Sequence, residues 1–192
     1  MIYLLLGLLV FLGVHSVRIV ADRWRTRARE RMGPLAWKAI YSLLSVASLV
    51  LIVWGFGQVR QMPIQLWNPP FVLRHAASVV NLAAFILLAA AYVPGNRIKA
   101  RVHHPMVQGV VLWSIGHLMA NGNLGQVVLF GSFLLWGVLD WRAATRRDQH
   151  VGAVYPSGTV GATGLTVVLG VSGWMVFTLW LHGVLIGVRP LG

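Results

Sequence analysis

The chain has 192 residues, of which 57% are hydrophobic and only 10% are charged. This composition excludes an ordinary soluble domain, in which about a quarter of the residues are charged. Sixteen basic residues against four acidic ones give a net charge of +12, and the absence of cysteine excludes disulfides, thiolate metal sites, cysteine nucleophiles and covalently attached c-type haem.

Six apolar stretches follow one another along the chain and predict an all-α protein, a bundle of six transmembrane helices in a single domain, residues 1–192. Each stretch can supply roughly the 17–25 residues that a membrane helix needs, with the fourth and fifth at the short end. In chain order the predicted spans are residues 2–20, 36–58, 71–93, 105–120, 124–139 and 161–188.

Residues that typically start or stop helices support these boundaries. The first stretch lacks a basic leader region and a small-residue cleavage site, so we expect a retained helix rather than a signal peptide. The third stretch ends at Pro94-Gly95, a strong stop signal. The fourth begins at Pro105 and ends at Asn121-Gly122, and this short link predicts an antiparallel hairpin with the fifth.

Basic residues alternate between the connecting segments and predict the topology. The first, third and fifth connections, with the adjoining helix ends, carry 13 of the 16 basic residues, and the other side carries Arg60, Arg74 and Arg189. The positive-inside rule then places the basic connections in the cytoplasm and both termini on the outer, periplasmic side of a bacterial inner membrane. Because the basic residues lie between apolar runs, we expect them to face anionic lipid rather than nucleic acid.

Histidines near the ends of the predicted helices indicate a cofactor site. An ionisable ring at membrane depth is costly unless it has a partner, so it marks a functional site by default. Helix bundles build cofactor sites from facing helices, and imidazole is the usual haem ligand among the residue types present here. The alternative is that each histidine is structural and hydrogen-bonded. The candidates are His15 on the first helix, His75 on the third, and His104 and His117 on the fourth.

Arg18 lies on the same face of the first helix as Phe11 and His15, by three- and four-residue spacing. A guanidinium near a histidine could bind a haem propionate. The alternative is that Arg18 marks the cytoplasmic interface and pairs with Asp22, one turn further along.

Five motifs occur in order along the chain: His15-Ser-Val-Arg18, Pro94-Gly-Asn-Arg97, His104-Pro-Met106, Trp113-Ser-Ile-Gly-His117-Leu-Met-Ala-Asn121-Gly122 and His182-Gly-Val-Leu-Ile-Gly-Val-Arg-Pro190. Through them the chain closely resembles the NnrU family of bacterial membrane proteins, over essentially its whole length. The resemblance implies a link with nitrite and nitric oxide reduction. It also implies a relation to the 15-cis-zeta-carotene isomerases, haem b proteins that isomerise a polyene double bond without net redox change.

By these motifs, the resemblance places the haem histidines of the isomerases on His15 and His117, and a further motif histidine on His104. The isomerases carry a Cys, proposed as an alternative iron ligand, three residues before the second haem histidine. Here that position is Ser114. A hydroxyl is a poor ligand for haem iron, so the resemblance implies haem binding without that ligand switch.

Helix geometry limits which histidines can share one iron. At 1.5 Å per residue, His15 and His117 differ in depth by roughly 14 Å, so this pair requires a haem that lies nearly flat in the membrane or strongly tilted helices. Depth alone favours His75 with His117 on the outer side, or His15 with His104 on the inner side. We therefore take His15 and His117 as the predicted haem-iron ligands and keep His75 and His104 as rivals.

The function predicted from the sequence is that of an integral membrane protein that binds haem b. It would act in nitrite or nitric oxide metabolism, or as a haem-dependent cis–trans isomerase of a carotenoid-like polyene. Its predicted partners are the lipid bilayer and either an apolar small molecule or respiratory membrane proteins. The alternative is a non-enzymatic accessory or assembly subunit of a respiratory or denitrification complex, with structural histidines.

Overall fold

The computed structural model describes residues 1–191 and contains, within that range, helices and no β-strand. The all-α prediction is therefore confirmed for this part of the chain. We number the helices in chain order and treat the last as one element, because a π-helical turn at Phe177–Leu181 continues it without a break. The helices are α1 Ile2–Val20, α2 Asp22–Met32, α3 Pro34–Val59, α4 Phe71–Tyr92, α5 Arg97–Val102, α6 Pro105–Ala120, α7 Leu124–Val151 and α8 Val160–Ile186.

Five of these helices, α1, α3, α4, α7 and α8, are long and apolar enough to cross a membrane. The sixth predicted span, α6, is apolar but has only 16 residues. At 1.5 Å per residue it is about 24 Å long, against roughly 30 Å for the hydrocarbon core of a bilayer. The bounds of α1 and α6 coincide with the predicted ones. In α6, a proline marks the start and a polar pair follows the last residue.

The largest difference from the predicted bounds is in α7, which continues twelve residues beyond Leu139 to Val151. The apolar run stops there, but the arginines and alanines that follow are strong helix formers, so the helix continues out of the apolar region. It ends at Gly152, whose left-handed backbone (φ +61°) provides a C-terminal cap.

Two short helices lie outside the predicted spans because they are too polar to be membrane segments. In α2, Asp22 occupies the first turn and Arg29 and Arg31 the last, which complements the helix dipole at both ends. In α5, the Asn96 side chain caps the N-terminus by accepting a hydrogen bond from the Lys99 N–H at 2.7 Å.

The long helices form a row in the order α3, α1, α7, α6, α4, α8. Small residues allow the close pairs: a Cβ added at Gly55 of α3 would lie 2.4 Å from the Leu4 nitrogen of α1, and one added at Gly170 of α8 would lie 2.6 Å from Ile86 Cα of α4. Within residues 1–191, α1 and α6 do not pack directly against each other, because α7 lies between them in the row.

Hydrogen bonds between connecting segments define the two ends of the bundle. At one end, which we call the basic end, Arg147 Nη1 donates to the Arg18 carbonyl at 3.4 Å and the Thr159 N–H donates to the Gly95 carbonyl at 2.8 Å. At the opposite end, the Leu66 N–H donates to the Gly122 carbonyl at 2.8 Å. The three connections that carry most of the basic residues therefore share one end, as the alternating charges predict.

Candidate functional site

His15 lies half-buried on α1, facing α3 and α7. Its Nδ1 lies 2.7 Å from the Phe11 carbonyl, and because a carbonyl only accepts, Nδ1 carries the hydrogen. The ring stacks on Phe11 with centroids 4.2 Å apart. Tyr41 of α3 and Trp136 of α7 complete the surroundings, at 5.2 Å and 6.1 Å between ring centroids.

His117 has a matching environment on α6. Its Nδ1 donates to the Trp113 carbonyl at 2.8 Å, and its ring stacks on Phe130 of α7 with centroids 4.4 Å apart. The Trp113 ring lies 5.0 Å from the His117 ring. The preceding helical turn thus fixes the tautomer of each histidine and leaves Nε2 as the atom with the free lone pair.

A group of aromatic side chains links the two histidines, and we call it the aromatic cluster: Phe11, Trp113, Phe130 and Phe133. Phe133 of α7 is the central member, with ring centroids 5.8 Å from Phe11 and 5.6 Å from Trp113. The cluster packs against the buried apolar core formed by α1, α3 and α7. His15 and His117 therefore belong to one continuous aromatic region, although they lie on helices that do not pack directly against each other.

Two features of this region make it suited to hold an acceptor or a ligand. Within the described part of the chain, neither His15 Nε2 nor His117 Nε2 forms a hydrogen bond. The Trp136 indole nitrogen, beside His15, is buried and also has no partner. An indole N–H can only donate, and leaving such a donor buried and unpaired costs roughly 1–3 kcal/mol.

The two rival histidines lie elsewhere. His75 is exposed near the start of α4, where its Nδ1 lies 3.2 Å from the Phe71 carbonyl, outside the aromatic cluster. His104 lies at the basic end, with Nε2 2.9 Å from Asp148 Oδ2, although the contact is not aligned as a hydrogen bond. The Tyr155 hydroxyl donates to the same Asp148 oxygen at 2.7 Å. This bond raises the pKa of Tyr155 to about 12.

The contact between His104, Asp148 and Tyr155 was not predicted from the sequence. It depends on the extension of α7 beyond its apolar run, which carries Asp148 back to the start of α6. The available signal was the helix-forming composition after Leu139, followed by Gly152 as a stop.

Arg18 pairs with Asp22, with Nε 3.9 Å from Oδ1, as the interfacial interpretation predicts. Its side chain is 58% exposed and lines a cavity of about 360 Å³ between α1 and α7. We call this space the arginine cavity, since Arg18, Arg142, Arg146 and Arg147 all line it. The role of Arg18 at a haem propionate stays a prediction.

The comparison with known protein families agrees with these motifs. A family model described as NnrU protein matches residues 3–190. The chain belongs to the NnrU family. No curated protein and no solved structure matches the chain. The relation to the zeta-carotene isomerases stays a prediction from the motifs, since the match concerns the NnrU family itself.

The donor set of this NnrU protein fits haem better than a metal ion held by several side chains. Among residues 1–191, no three histidine, aspartate or glutamate side chains come together as a metal site would require. Haem iron needs only one or two axial imidazoles from the protein, and its porphyrin needs apolar, aromatic surroundings. His15 and His117 offer two unpaired Nε2 atoms on rings that pack against the aromatic cluster, so these residue types fit the group chemically.

Proposed function

We propose that this NnrU protein is an integral membrane protein that binds haem b, with His15 and His117 as the residues that would hold the iron. The observation that carries the proposal is that two half-buried imidazoles on one aromatic cluster have their Nδ1 atoms satisfied and their Nε2 atoms unpaired. His75 and His104 serve less well, because one is exposed and the Nε2 atom of the other faces a carboxylate.

The protein's own groups would prepare the ligands and exclude water. Hydrogen bonds from Nδ1 to the Phe11 and Trp113 carbonyls hold each ring in one orientation and increase the basicity of Nε2. The aromatic cluster keeps the surroundings apolar, and the unpaired Trp136 N–H is available to an acceptor beside His15. When bound, haem would supply an iron atom that can change oxidation state.

Nitrite and nitric oxide metabolism is the role we favour over polyene isomerisation. Ser114, which stands at the position of the isomerase cysteine, is fully buried and donates its hydroxyl hydrogen to the Val110 carbonyl at 2.9 Å. A buried hydroxyl committed to its own helix offers no alternative ligand for iron. We therefore propose a redox role in this metabolism that does not depend on a ligand switch at this position.

We further propose six membrane spans, with both termini on the periplasmic side of the bacterial inner membrane. The gathering of the basic connections at one end supports this orientation. Support for α6 as the sixth span comes from its two ends: His104 lies beside Asp148 at the basic end, and Gly122 accepts from Leu66 at the opposite end.

Optical spectroscopy of the purified protein tests the haem proposal. The protein is expressed with haem supplementation, as wild type and as His15→Ala, His117→Ala and a control, His150→Ala, in which an exposed histidine at the end of α7 is removed. We expect a Soret band with a bis-imidazole signature in wild type and control, and loss of haem or a change to a five-coordinate spectrum in His15→Ala and His117→Ala.

Other outcomes contradict the assignment in distinguishable ways. A Soret band that is unchanged in both variants would refute these ligands, and its loss in His75→Ala or His104→Ala would identify a rival. A folded protein that stays colourless and co-purifies with a respiratory complex would support the accessory-subunit alternative instead.

A further inference from the structure

The arginine cavity lies at the basic end, where the C-terminus of α1 meets the C-terminal turns of α7. On α7, Leu139, Arg142 and Arg146 follow at three- and four-residue spacing, so one face of the helix supplies this wall. On α1, Arg18 and Ile19 supply the other wall. The positive-inside rule requires basic residues at this end of the bundle, but it does not require arginines from two helices to converge on one cavity.

Only part of the charge in the arginine cavity is neutralised by the protein. Asp22 is the single acidic residue in its lining and pairs with Arg18. Arg147 lies 3.9 Å from Asp140 and also donates to the Arg18 carbonyl, which ties α7 to α1. In the described residues 1–191, Arg142 and Arg146 have neither an acidic group within 4 Å nor a hydrogen bond.

This arrangement is unfavourable without an anion. Arg142 and Arg146 lie four residues apart on one helix, where like charges repel each other. Four arginines in the lining against Asp22 and the neighbouring Asp140 leave an excess of two positive charges. Guanidinium groups present a planar fork of donors that matches the oxygens of a phosphate, and such pairs are among the stronger hydrogen bonds in proteins.

The rest of the lining is apolar and indicates a lipid rather than a soluble anion. Ile19 and Leu139 form part of the wall beside the arginines. Along α7 towards the middle of the bundle, the next residue on the same face is Leu135, which is 64% exposed, while Leu139 is 44% exposed. The helix thus offers a charged region at the level of the headgroups and a continuous apolar strip where an acyl chain would lie.

We propose that the arginine cavity binds the phosphate group of an anionic phospholipid, with an acyl chain of that lipid along the α7 strip formed by Leu135 and Leu139. Basic cavities between membrane helices on the cytoplasmic side are where such headgroups bind. The site is separate from the aromatic cluster and does not require haem. Its occupant would fasten α1 to α7, the two helices that carry His15 and Trp136.

Lipid titration of the haem-free, delipidated protein in neutral detergent tests this proposal. Wild type is compared with Arg142→Gln/Arg146→Gln and with a matched control, Arg23→Gln/Arg29→Gln, which removes the same charge from exposed positions of α2 outside the arginine cavity. The probes are phosphatidylglycerol, cardiolipin, zwitterionic phosphatidylcholine and inorganic phosphate. Bound lipid is counted by native mass spectrometry, and the melting temperature is followed by tryptophan fluorescence.

We expect the two anionic lipids to bind wild type and raise its melting temperature, and phosphatidylcholine to do neither. The cavity variant should bind them roughly thirtyfold more weakly, and the α2 control within about threefold of wild type. Equal weakening in both variants would show general surface electrostatics and overturn the proposal. Binding of inorganic phosphate but not of the anionic lipids, with the phosphate binding lost in the cavity variant, would identify a soluble-anion site and overturn the lipid assignment. The melting temperature without lipid verifies that each variant is folded.

Discussion

The close approach of α1 to α3 at Gly55 gives a sharp test of the helix packing that positions His15. A Cβ at Gly55 would lie 2.4 Å from the Leu4 nitrogen and 2.8 Å from the Tyr3 carbonyl carbon. Ordinary van der Waals contact begins at 3.4 Å, so α1 would have to retreat by about 1 Å. Both opposing atoms belong to the backbone, so a change of side-chain rotamer cannot relieve the clash. Overpacking of this kind costs roughly 1–3 kcal/mol.

The matched control is Gly57→Ala, on the same helix, where an added Cβ has no neighbour within 4 Å. Both Gly→Ala changes gain about 1 kcal/mol of helix propensity, so this gain cancels in the comparison. Gly55→Ala should therefore be about 1–3 kcal/mol less stable than Gly57→Ala, a difference in melting temperature of roughly 2–12 °C for a chain of this size. Tryptophan fluorescence during heating in detergent measures the difference. Equal melting temperatures would refute the inferred contact between the α1 and α3 backbones.

Two further predictions concern the basic end. Tyr155→Phe removes the hydrogen bond to Asp148 and should lower the free energy of unfolding by about 1.5 kcal/mol. The pKa of Tyr155 is raised from 10.0 to about 12 in the folded protein. The stability that this bond contributes is therefore complete below pH 10 and is lost between pH 10 and 12. Denaturant titrations across that range should show the loss in wild type and in the exposed-ring control Tyr92→Phe, and a flatter profile in Tyr155→Phe. Asn96→Ala removes three hydrogen bonds of a buried side chain and should cost about 3 kcal/mol, whereas Asn68→Ala, at an exposed position, should leave the unfolding midpoint unchanged.

The helices themselves could be predicted from the sequence because each signal is local. Pro105 at the start of α6 and Asn121-Gly122 at its end mark its bounds by residue type alone. The end of α7 could not be found in the same way, since the search for apolar residues stops at Leu139 while the backbone follows helix propensity to Val151. In α6 the apolar run and the helix end together, whereas in α7 the helix continues beyond the end of the apolar run.

The candidate site could be predicted only in part from the sequence. The sequence identifies His15 and His117 as candidates, but which side chains surround them depends on the order of helices in the row. That order places α7 between α1 and α6, and it is set by packing between surfaces far apart in the chain. Consequently Phe130, which stacks on His117, and Phe133, which packs between Phe11 and Trp113, have no sequence feature that distinguishes them from other apolar residues of α7.

The order of helices in the row also fixes when the surroundings of His15 can form during synthesis. Neighbours in the row are close in sequence for α1 with α3 and for α4, α6 and α7, so these groups can pair as they emerge from the ribosome. The contact between α1 and α7 is different, because about 120 residues separate His15 from Trp136. At about 5–20 residues per second, that interval is roughly 6–24 s. During this interval the N-terminal hairpin lies in the membrane with the α7 side of His15 uncovered, and the surroundings that α7 supplies form only when that helix arrives.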